Sequence, residues 1–319
     1  MKIIAELCQN HNGNFENVEK MVSEASANGA THVKIQTIYS KNLSFRPEFE
    51  NGLELDGETK CIKRPYKLEF ERLKSLELTS NESRRFVEIC KENNVVPMTT
   101  CFTRDTLQEI IDCGFKAIKI ASYDCASYQM IREVSKHCND IFISTGATFD
   151  EEIEQTANIL SDIDFTFLHC VTMYPTPLEE MHLNRMLWLK KYTQNIGLSD
   201  HSLVEQDDVW AVKAAIFLGA RCIERHFTIL DRDQSKDGPV SITPKLLREI
   251  SRFSKLTKVD MEKELDENYP SWKKMLGEEK RKLSKSELLN RAYYRGRFAS
   301  IRNGYGPENM IYNWDETSV

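Results

Sequence analysis

The sequence lacks several features that would assign it to common protein classes. No apolar run approaches 18 residues, so we expect no transmembrane helix. The first residues, MKIIAELCQNHNG, become polar too early for a secretory signal peptide. No glycine-rich phosphate loop follows the first strand-like run, which argues against a doubly wound dinucleotide-binding sheet. The net charge of −6 gives no electrostatic reason to expect nucleic acid or an anionic membrane as a partner.

The nine cysteines also lack a recognisable pattern. They are scattered singly, and none forms a C-x-x-C pair. Such a set in a chain of 319 residues predicts reduced thiols, and hence a cytoplasmic protein, rather than a disulfide framework. Four of them lie in strand-like runs, and we expect most of the nine to pack as small hydrophobic side chains. These four are Cys8, Cys101, Cys170 and Cys222.

Short β-rich runs alternate with amphipathic helical segments over the first 250 or so residues. Eight runs are found, at 2–8, 32–37, 95–102, 117–122, 141–146, 165–171, 195–201 and 222–228. Alternating strands and helices indicate βαβ units and a parallel sheet. Eight units in about 250 residues match the size of an α/β protein of the (β/α)8 TIM barrel type. The sequence therefore predicts a barrel over residues 1–256.

Two regions interrupt this pattern. Residues 38–78 form one long connection, and connections of that length tend to be functional loops or lids. Beyond the barrel, residues 257–290 are dense in charge and predict a solvated helical linker. Residues 291–319 are aromatic, basic and too short for an independent core of ordinary stability.

Polar side chains occur near the C-terminal end of nearly every predicted strand. Catalytic groups of barrel enzymes project from this end. Taken singly, each has an ordinary explanation: a strand Ser or Thr usually bonds the backbone, and a lone His is more often a satisfied core residue than a ligand. Together they recur at the same end of successive strands, whereas polar residues placed without a shared role would not. They are Glu6, Lys34, Gln36, Thr100, Lys119, Ser122, Asp124, Ser144, Thr172, Tyr174, Ser199, His201, Glu224 and His226.

This set of side chains suggests a chemistry. Two interior lysines with several hydroxyls suit a small phosphorylated anion, since ammonium groups supply charge and hydroxyls supply directed donors. His201 and His226, on adjacent strand ends, suit a divalent transition metal with positions left open for substrate. Glu6 and Glu224 are then candidates for proton transfer or for supporting the metal.

Seven motifs resemble those of the sialic acid synthase family, which includes N-acetylneuraminate, legionaminate and pseudaminate synthases. The resemblance covers about residues 1–250, with the motifs in the family's order and spacing. They are AELCQNHNG, VKIQT, IKIAS, STGAT, LHCVTMYPTP, GLSDHS and IERHFT. The resemblance implies a (β/α)8 transferase that condenses phosphoenolpyruvate with an N-acylated aldose to give a 3-deoxy-2-ulosonic, sialic acid-like nonulosonic acid and phosphate.

The resemblance also implies roles for individual residues. His201 and His226 would bind Mn²⁺ or a similar ion, and Glu6 and Glu224 would lie close to the reacting centre. The side chains implied to hold phosphoenolpyruvate are Lys34, Thr100, Lys119, Ser122, Ser144 and Ser199. Those implied to face the acceptor sugar are Gln36, Asp124, Thr172 and Tyr174. Relatives are typically dimers, so the resemblance implies a homodimer, although the shortened C-terminal segment leaves the oligomeric state open.

Departures from the family pattern lie on the acceptor side. The family usually has a GPD triplet after the eighth strand, but here Val240 takes the place of the aspartate, and Asp237 precedes the glycine. Thr172 stands where neuraminate synthases tend to have asparagine, and Asp124 is shorter than the usual glutamate. Residues 291–319 resemble only the opening of the antifreeze-like domain that relatives carry, which implies a truncated remnant.

Two alternative functions stay open from the sequence. One is a Schiff-base aldolase that uses Lys34 or Lys119, which requires a lysine whose pKa is depressed. The other is a non-catalytic or divergent barrel that binds phosphoenolpyruvate but no acceptor sugar.

Overall fold

A computed structural model describes residues 1–302 and 309–319 and contains a closed barrel of eight parallel strands. The barrel strands are β1 (Lys2–Cys8), β2 (His32–Thr37), β5 (Val96–Cys101), β6 (Ala117–Ile120), β7 (Ile141–Ser144), β8 (Phe165–His169), β9 (Ile196–Asp200) and β10 (Cys222–His226). Each falls within, or matches, one of the eight runs predicted from the sequence. The prediction of a (β/α)8 barrel is confirmed.

The strands follow chain order around the barrel, and β1 closes it by pairing with both β2 and β10. Glu6 of β1 is in register with Lys34 of β2 on one side and with His226 of β10 on the other. The β1–β2 register shifts between Glu6 and Cys8, so the end of β1 is irregular. This closure places side chains from the first and last barrel strands next to each other.

Helices lie between the barrel strands and after the last one, and most of them cover the outside of the barrel. They are α1 (Phe15–Ala27), α2 (Glu48–Asn51), α3 (Tyr66–Lys74), α4 (Ser80–Glu92), α5 (Leu107–Cys113), α6 (Tyr128–His137), α7 (Asp150–Ile159), α8 (Arg185–Leu189), α9 (Val204–Asp207), α10 (Trp210–Phe217), α11 (Pro244–Phe253), α12 (Lys258–Asn268) and α13 (Lys285–Tyr294). Within the described residues, no helix combines the length and apolar character needed to cross a bilayer.

The barrel interior has an apolar layer and, above it, a polar layer. The apolar layer is formed by Ile4, Met98, Ala117, Phe142, Leu168 and Cys222. Two residues further along each strand, the side chain that lines the mouth is Glu6, Thr100, Lys119, Ser144, Cys170 or Glu224. Because strand side chains repeat every second residue, both layers point inward. The lower layer therefore closes the barrel and the upper layer forms the floor of a polar site.

The long connection between β2 and β5 has structure of its own. It contains α2, an antiparallel hairpin of β3 (Leu53–Leu55) and β4 (Glu58–Cys61), and α3. It packs against the C-terminal segment, residues 291–319, since Asn42 Nδ2 donates to Ala299 O and Arg46 donates to backbone carbonyls at the end of α13. The connection and the C-terminal segment therefore lie together beside the mouth of the barrel.

Residues after the barrel pack on it rather than standing apart. Met261, Leu265, Trp272 and Met275, all in the segment predicted as a linker, are buried in the main hydrophobic core. The last segment forms a short antiparallel pair, β11 (Ser300–Ile301) with β12 (Met310–Ile311). The division at 256 and 290 into linker and remnant stays a prediction.

Candidate functional site

The C-terminal ends of the barrel strands surround one polar cavity. All but two of the fourteen side chains predicted for the site line it. The lining members of that set are Glu6, Lys34, Gln36, Thr100, Lys119, Ser122, Ser144, Tyr174, Ser199, His201, Glu224 and His226. The two others, Asp124 and Thr172, are buried and do not line the cavity. The residue roles themselves stay predictions.

Two lysines and two glutamates form a charged cluster on the cavity floor. Lys34 forms an ion pair with Glu6, and its Nζ lies 3.2 Å from Glu224 Oε2. Lys119 Nζ lies 3.0 Å from the other oxygen of Glu224. All four side chains are almost completely buried. Burying single charges would cost several kcal/mol each, so this arrangement is tolerable only because the charges are paired. We name it the charge cluster.

The pKa values in the charge cluster follow from this pairing. Burial would raise the pKa of Glu224, but Lys119 and Lys34 outweigh it and hold the carboxyl well below its usual range. Burial would likewise lower the pKa of Lys34, but Glu224 and Glu6 raise it above its usual value. For Lys119 burial prevails, and its pKa is lowered despite Glu224. Lys34 therefore stays protonated, and Lys119 gives up its proton more readily.

Hydroxyl groups surround the charge cluster. Ser199 Oγ donates to Glu224 Oε1 at 2.7 Å, and Lys34 Nζ donates to Thr100 Oγ1 at 3.1 Å. Ser122 Oγ accepts from the Gly146 backbone N–H at 3.2 Å. Ser144 Oγ is buried and has no hydrogen-bond partner within residues 1–302 and 309–319. The Ser144 hydroxyl is therefore free to donate to a ligand. Because an unpaired buried hydroxyl costs free energy, such a bond would be favourable.

The two histidines face each other at the ends of β9 and β10. Their ring centroids are 5.2 Å apart, and Tyr174 lies edge-on to His201 at 4.4 Å. Burial, with His226 next, lowers the pKa of His201 well below its usual value, so its imidazole is neutral. Nδ1 of His226 is buried without a partner in the described part of the chain. The neutral ring of His201 and the unpartnered Nδ1 of His226 fit a divalent metal ion, so the donor set matches the predicted site.

A buried ion pair fixes the strand ends that carry these histidines. Asp200 of β9 pairs with Arg225 of β10, and both side chains are almost fully buried. Arg225 also donates to the Oγ and carbonyl of Ser202, and the Ser202 N–H donates to Asp200 Oδ1 at 2.8 Å. The pair lies directly beside His201 and His226 in sequence. We infer that it positions them, a role that the sequence alone did not suggest.

The predicted acceptor side chains lie close to the C-terminal segment. Asp124 Oδ1 accepts from Ser127 Oγ and from Asn313 Nδ2, both at 2.8 Å. Burial raises the pKa of Asp124 to about 6 despite these bonds. The carbonyl of Thr172 accepts from Asn290 Nδ2 at 2.8 Å. A second small cavity lies between Asp124 and residues 294–298. The C-terminal part of the chain thus contacts two of the side chains predicted to face the acceptor, which sequence patterns gave no means of predicting.

A different cavity lies at the opposite end of the barrel. Its lining includes Lys2, Lys116, Asp140 and Asn195, and Lys2 pairs there with Asp140. Barrel enzymes place their chemistry at the C-terminal face, and conserved features of the other face serve stability. We therefore assign the chemistry to the cavity that contains the charge cluster.

Comparisons with known proteins identify the family of this chain. The model of the NeuB family matches residues 21–264. The N,N'-diacetyllegionaminic acid synthase of Campylobacter jejuni is 29% identical over 260 residues, covering 77% of this chain and 73% of the relative. A pseudaminic acid synthase of the same species is 28% identical over 316 residues, covering 97% and 85%.

A solved structure gives the same result. The N-acetylneuraminic acid synthetase of Leptospira borgpetersenii, crystallised with citrate, aligns with a TM-score of 0.66 and 26% identity, covering 91% of this chain and 90% of that one. The resemblance read from the seven motifs is confirmed, because the matching family model spans most of the barrel that carries them. The chain belongs to the NeuB family.

Proposed function

We propose that the protein is a metal-dependent transferase that condenses phosphoenolpyruvate with an N-acylated aldose. The products are a 3-deoxy-2-ulosonic, sialic acid-like acid and inorganic phosphate. One observation carries the proposal: the charge cluster, its surrounding hydroxyls and the two facing histidines share a single cavity at the C-terminal face. The names of the relatives support the same reaction class.

Lys34 and Lys119 are the groups that we propose to bind the phosphoenolpyruvate anion. Both are buried at the floor, and hydroxyls of Thr100, Ser144 and Ser199 lie around them. Ammonium groups hold phosphate and carboxylate by charge, and hydroxyls fix orientation. The anion would replace part of the attraction that Glu6 and Glu224 now provide. The free Ser144 hydroxyl supports this assignment.

The carboxylates are the groups that we propose to act at the reacting carbon. Carbon 3 of phosphoenolpyruvate attacks the aldehyde carbon, the aldehyde oxygen takes up a proton, and positive charge develops at carbon 2. The ionised Glu224 carboxylate stabilises that charge. Water then adds to carbon 2 and gives a proton to a carboxylate. The C–O bond to the bridging oxygen then breaks, the carbon 2 hydroxyl gives its proton to the departing phosphate, and the keto group of the product remains.

His201 and His226 are the residues that we propose to hold a divalent metal ion, with Mn²⁺ as the ion implied by the family resemblance. A bound ion would supply Lewis-acid polarisation of the acceptor aldehyde and would orient it. Tyr174, which lies against His201, and Gln36 line the same cavity and are proposed to contact the sugar.

The acceptor is proposed to differ from plain N-acetylmannosamine. Val240, at the position where relatives usually have an aspartate, is buried and offers no acceptor for a sugar hydroxyl. Asp124 and Thr172 do not line the cavity; Asn313 donates to the Asp124 carboxylate, and Asn290 donates to the Thr172 carbonyl. We therefore expect a sugar with fewer hydroxyls or with an added acyl group on that side.

The test is phosphate release from phosphoenolpyruvate with Mn²⁺ and a panel of N-acylated and deoxy six-carbon sugars. We expect release with at least one sugar and loss of release when His201→Ala and His226→Ala are combined. Tight binding of phosphoenolpyruvate without release on any sugar would instead favour a non-catalytic barrel.

A Schiff-base aldolase is the second candidate, and one observation favours it: burial lowers the pKa of Lys119. The raised pKa of Lys34 speaks against that residue as the nucleophile. Borohydride reduction in the presence of pyruvate distinguishes the two functions, because only the aldolase gives a covalent adduct on Lys119.

We also propose a location and an assembly state. All nine cysteines are free, which fits a reducing compartment such as the cytoplasm. A homodimer stays a prediction from the family resemblance.

A further inference from the structure

Cys8 occupies a backbone position that disfavours a side chain. Its φ is +47°, in the left-handed region that glycine adopts at little cost, and the β1–β2 register shifts just before it. Its backbone N–H donates to Glu6 Oε1 at 2.6 Å, which fixes the turn at the end of β1. Strained positions of this kind are concentrated at functional sites. We therefore expect the Cys8 thiol to contact functional groups.

The thiol of Cys8 lies among other potential metal ligands. Its Sγ donates to Asp237 Oδ2 at 3.1 Å, and that oxygen lies 4.0 Å from Nδ1 of His226. One ligand atom from each of Cys8, His226 and Asp237 lies within 4.8 Å of the other two. His201 faces His226 from the next strand. Thiolate, carboxylate and imidazole are all common ligands of divalent transition metals.

Asn10 connects the chain segments that carry these ligands. Its Nδ2 donates to Phe227 O, next to His226, and to Ser241 Oγ, both at 2.9 Å. Ser241 Oγ in turn donates to Asp237 O at 2.7 Å, and Ser235 Oγ donates to Asn10 Oδ1 at 2.7 Å. Supporting hydrogen bonds of this kind orient ligands around metal ions. The end of β1, the end of β10 and the loop with Asp237 are therefore held as one unit.

We propose that Cys8 and Asp237 join His226 and His201 as ligands of one divalent metal ion. The site would then contain a thiolate, a carboxylate and two imidazoles instead of two histidines alone. This inference rests on the proposed function only because both place a metal ion at His201 and His226. A soft thiolate favours Zn²⁺, Co²⁺ and Fe²⁺ over Mn²⁺, which binds harder ligands and lies lowest in the general affinity order. We expect Mn²⁺ to be the weaker-binding ion for this chain.

The test is a Co²⁺ titration of the metal-free full-length protein, followed by absorption spectroscopy. A Cys8 thiolate bound to Co²⁺ gives a sulfur-to-metal charge-transfer band in the near ultraviolet. We expect this band in the natural protein and its loss in Cys8→Gly. Glycine suits the left-handed backbone, so this variant removes the thiol while relieving strain. Circular dichroism and phosphoenolpyruvate binding check that the fold is retained.

Two further variants sharpen the test. Cys170 is the matched control, since its Sγ lies 3.7 Å from His201 Nδ1, and Cys170→Ala should keep the band. Asp237→Asn should keep the band and weaken Co²⁺ affinity by about tenfold or more. Competition dialysis should show Zn²⁺ bound in preference to Mn²⁺, and Cys8→Gly should reduce that preference.

Three results would overturn the inference: no band in the natural protein, a band that survives Cys8→Gly, or a band that disappears in Cys170→Ala. None of these measurements requires turnover, so they are separate from the proposed reaction. Failure to condense any sugar would leave a thiolate-bound ion intact. Turnover with Mn²⁺ by a protein without the band would keep the function and remove Cys8 from the metal.

Discussion

Lys119 contributes a buried positive charge to a cavity that also contains its counter-ion. Its Nζ contacts Glu224 at 3.0 Å, and Glu224 in turn contacts Lys34 and Ser199. Removal of Lys119 therefore leaves Glu224 with a cation and a hydroxyl, so the fold should tolerate the change. The affinity for an anionic ligand should fall, because a hydrogen bond to a charged group contributes about 1.5–3 kcal/mol.

Lys119→Met should weaken phosphoenolpyruvate binding by about 10- to 100-fold, the equivalent of that loss. Isothermal titration calorimetry measures the affinity. Lys116→Met is the matched control, since Lys116 precedes the same strand and is exposed at the opposite end of the barrel. Equal affinity in the two variants would exclude Lys119 from the anion site.

Asp124 links stability to pH. Burial raises its pKa to about 6, from an ordinary value of 3.8. A raised pKa means that the folded state prefers the protonated form. The associated stabilisation is complete below about pH 4 and is lost as pH rises through 6.

Replacement of Asp124 by asparagine should remove this dependence. Relative to Asp124→Asn, the natural protein should lose about 2–3 kcal/mol of unfolding free energy between pH 4 and pH 7.5, since each pKa unit corresponds to about 1.4 kcal/mol. Urea unfolding at a series of pH values measures the difference. A difference that stays constant over this range would show that Asp124 does not titrate within it.

At the level of elements, the Asp200–Arg225 pair joins β9 to β10 where each strand ends. The pair is buried and has hydrogen bonds to Ser202. Loss of one partner from a buried pair leaves an uncompensated charge, which is much costlier than loss of both.

Arg225→Met should lower the unfolding free energy by about 3–5 kcal/mol, and the double change with Asp200→Leu should recover part of that loss. The matched control is Arg232→Met, because Arg232 pairs with Glu205 on the surface and such pairs contribute about 1 kcal/mol or less. Thermal or urea unfolding of the four proteins provides the comparison. Similar losses from Arg225→Met and Arg232→Met would contradict the positioning role.

At the level of the whole molecule, the C-terminal segment is attached to the barrel mouth by partly buried polar contacts. Arg104 donates to the carbonyls of Asp315 and Thr317, and Asn313 Nδ2 donates to Phe102 O at 2.8 Å. The segment contacts Asp124, a proposed acceptor residue, and none of its hydrogen bonds within the described residues reaches Lys34 or Lys119. Its loss should affect the two substrates unequally.

A chain that ends at Arg302 should show an acceptor KM raised by about tenfold or more, with the affinity for phosphoenolpyruvate changed far less. The expected difference corresponds to one or two lost hydrogen bonds near charged or buried groups. Steady-state kinetics with each substrate varied in turn, alongside Asn313→Ala as a milder change, provide the measurement. Equal loss for both substrates would indicate general unfolding instead.

Much of the barrel could be predicted from its sequence because each strand is short, apolar and followed by a helix. The mouth was predictable for a related reason: the C-terminal ends of parallel strands meet at one face. Side chains such as Lys34, Lys119 and Glu224 could therefore be grouped before any distance was known. What each of them contacts required the barrel register, which depends on closure between β1 and β10.

Other features depend on tertiary contacts that leave no local pattern. Most of the cysteines were expected to pack as small hydrophobic residues, whereas the thiol of Cys8 contacts Asp237. Asp237 follows His226 by a short loop in the sequence, but no local pattern indicates that this loop folds back to β1. The position of the C-terminal segment likewise depends on single contacts, such as that of Asn313 with Asp124.

The closure of the barrel by its first and last strands has a consequence for protein synthesis. Glu6 and Lys34 leave the ribosome early, but Lys119 must wait for Glu224, and Cys8 is separated from Asp237 by 229 positions. Domains emerging from the ribosome fold as units, and long-range contacts form late. The nascent chain therefore carries unpaired charges on its future inner surface until the last strand emerges. Assembly of the site and completion of the fold are then one event.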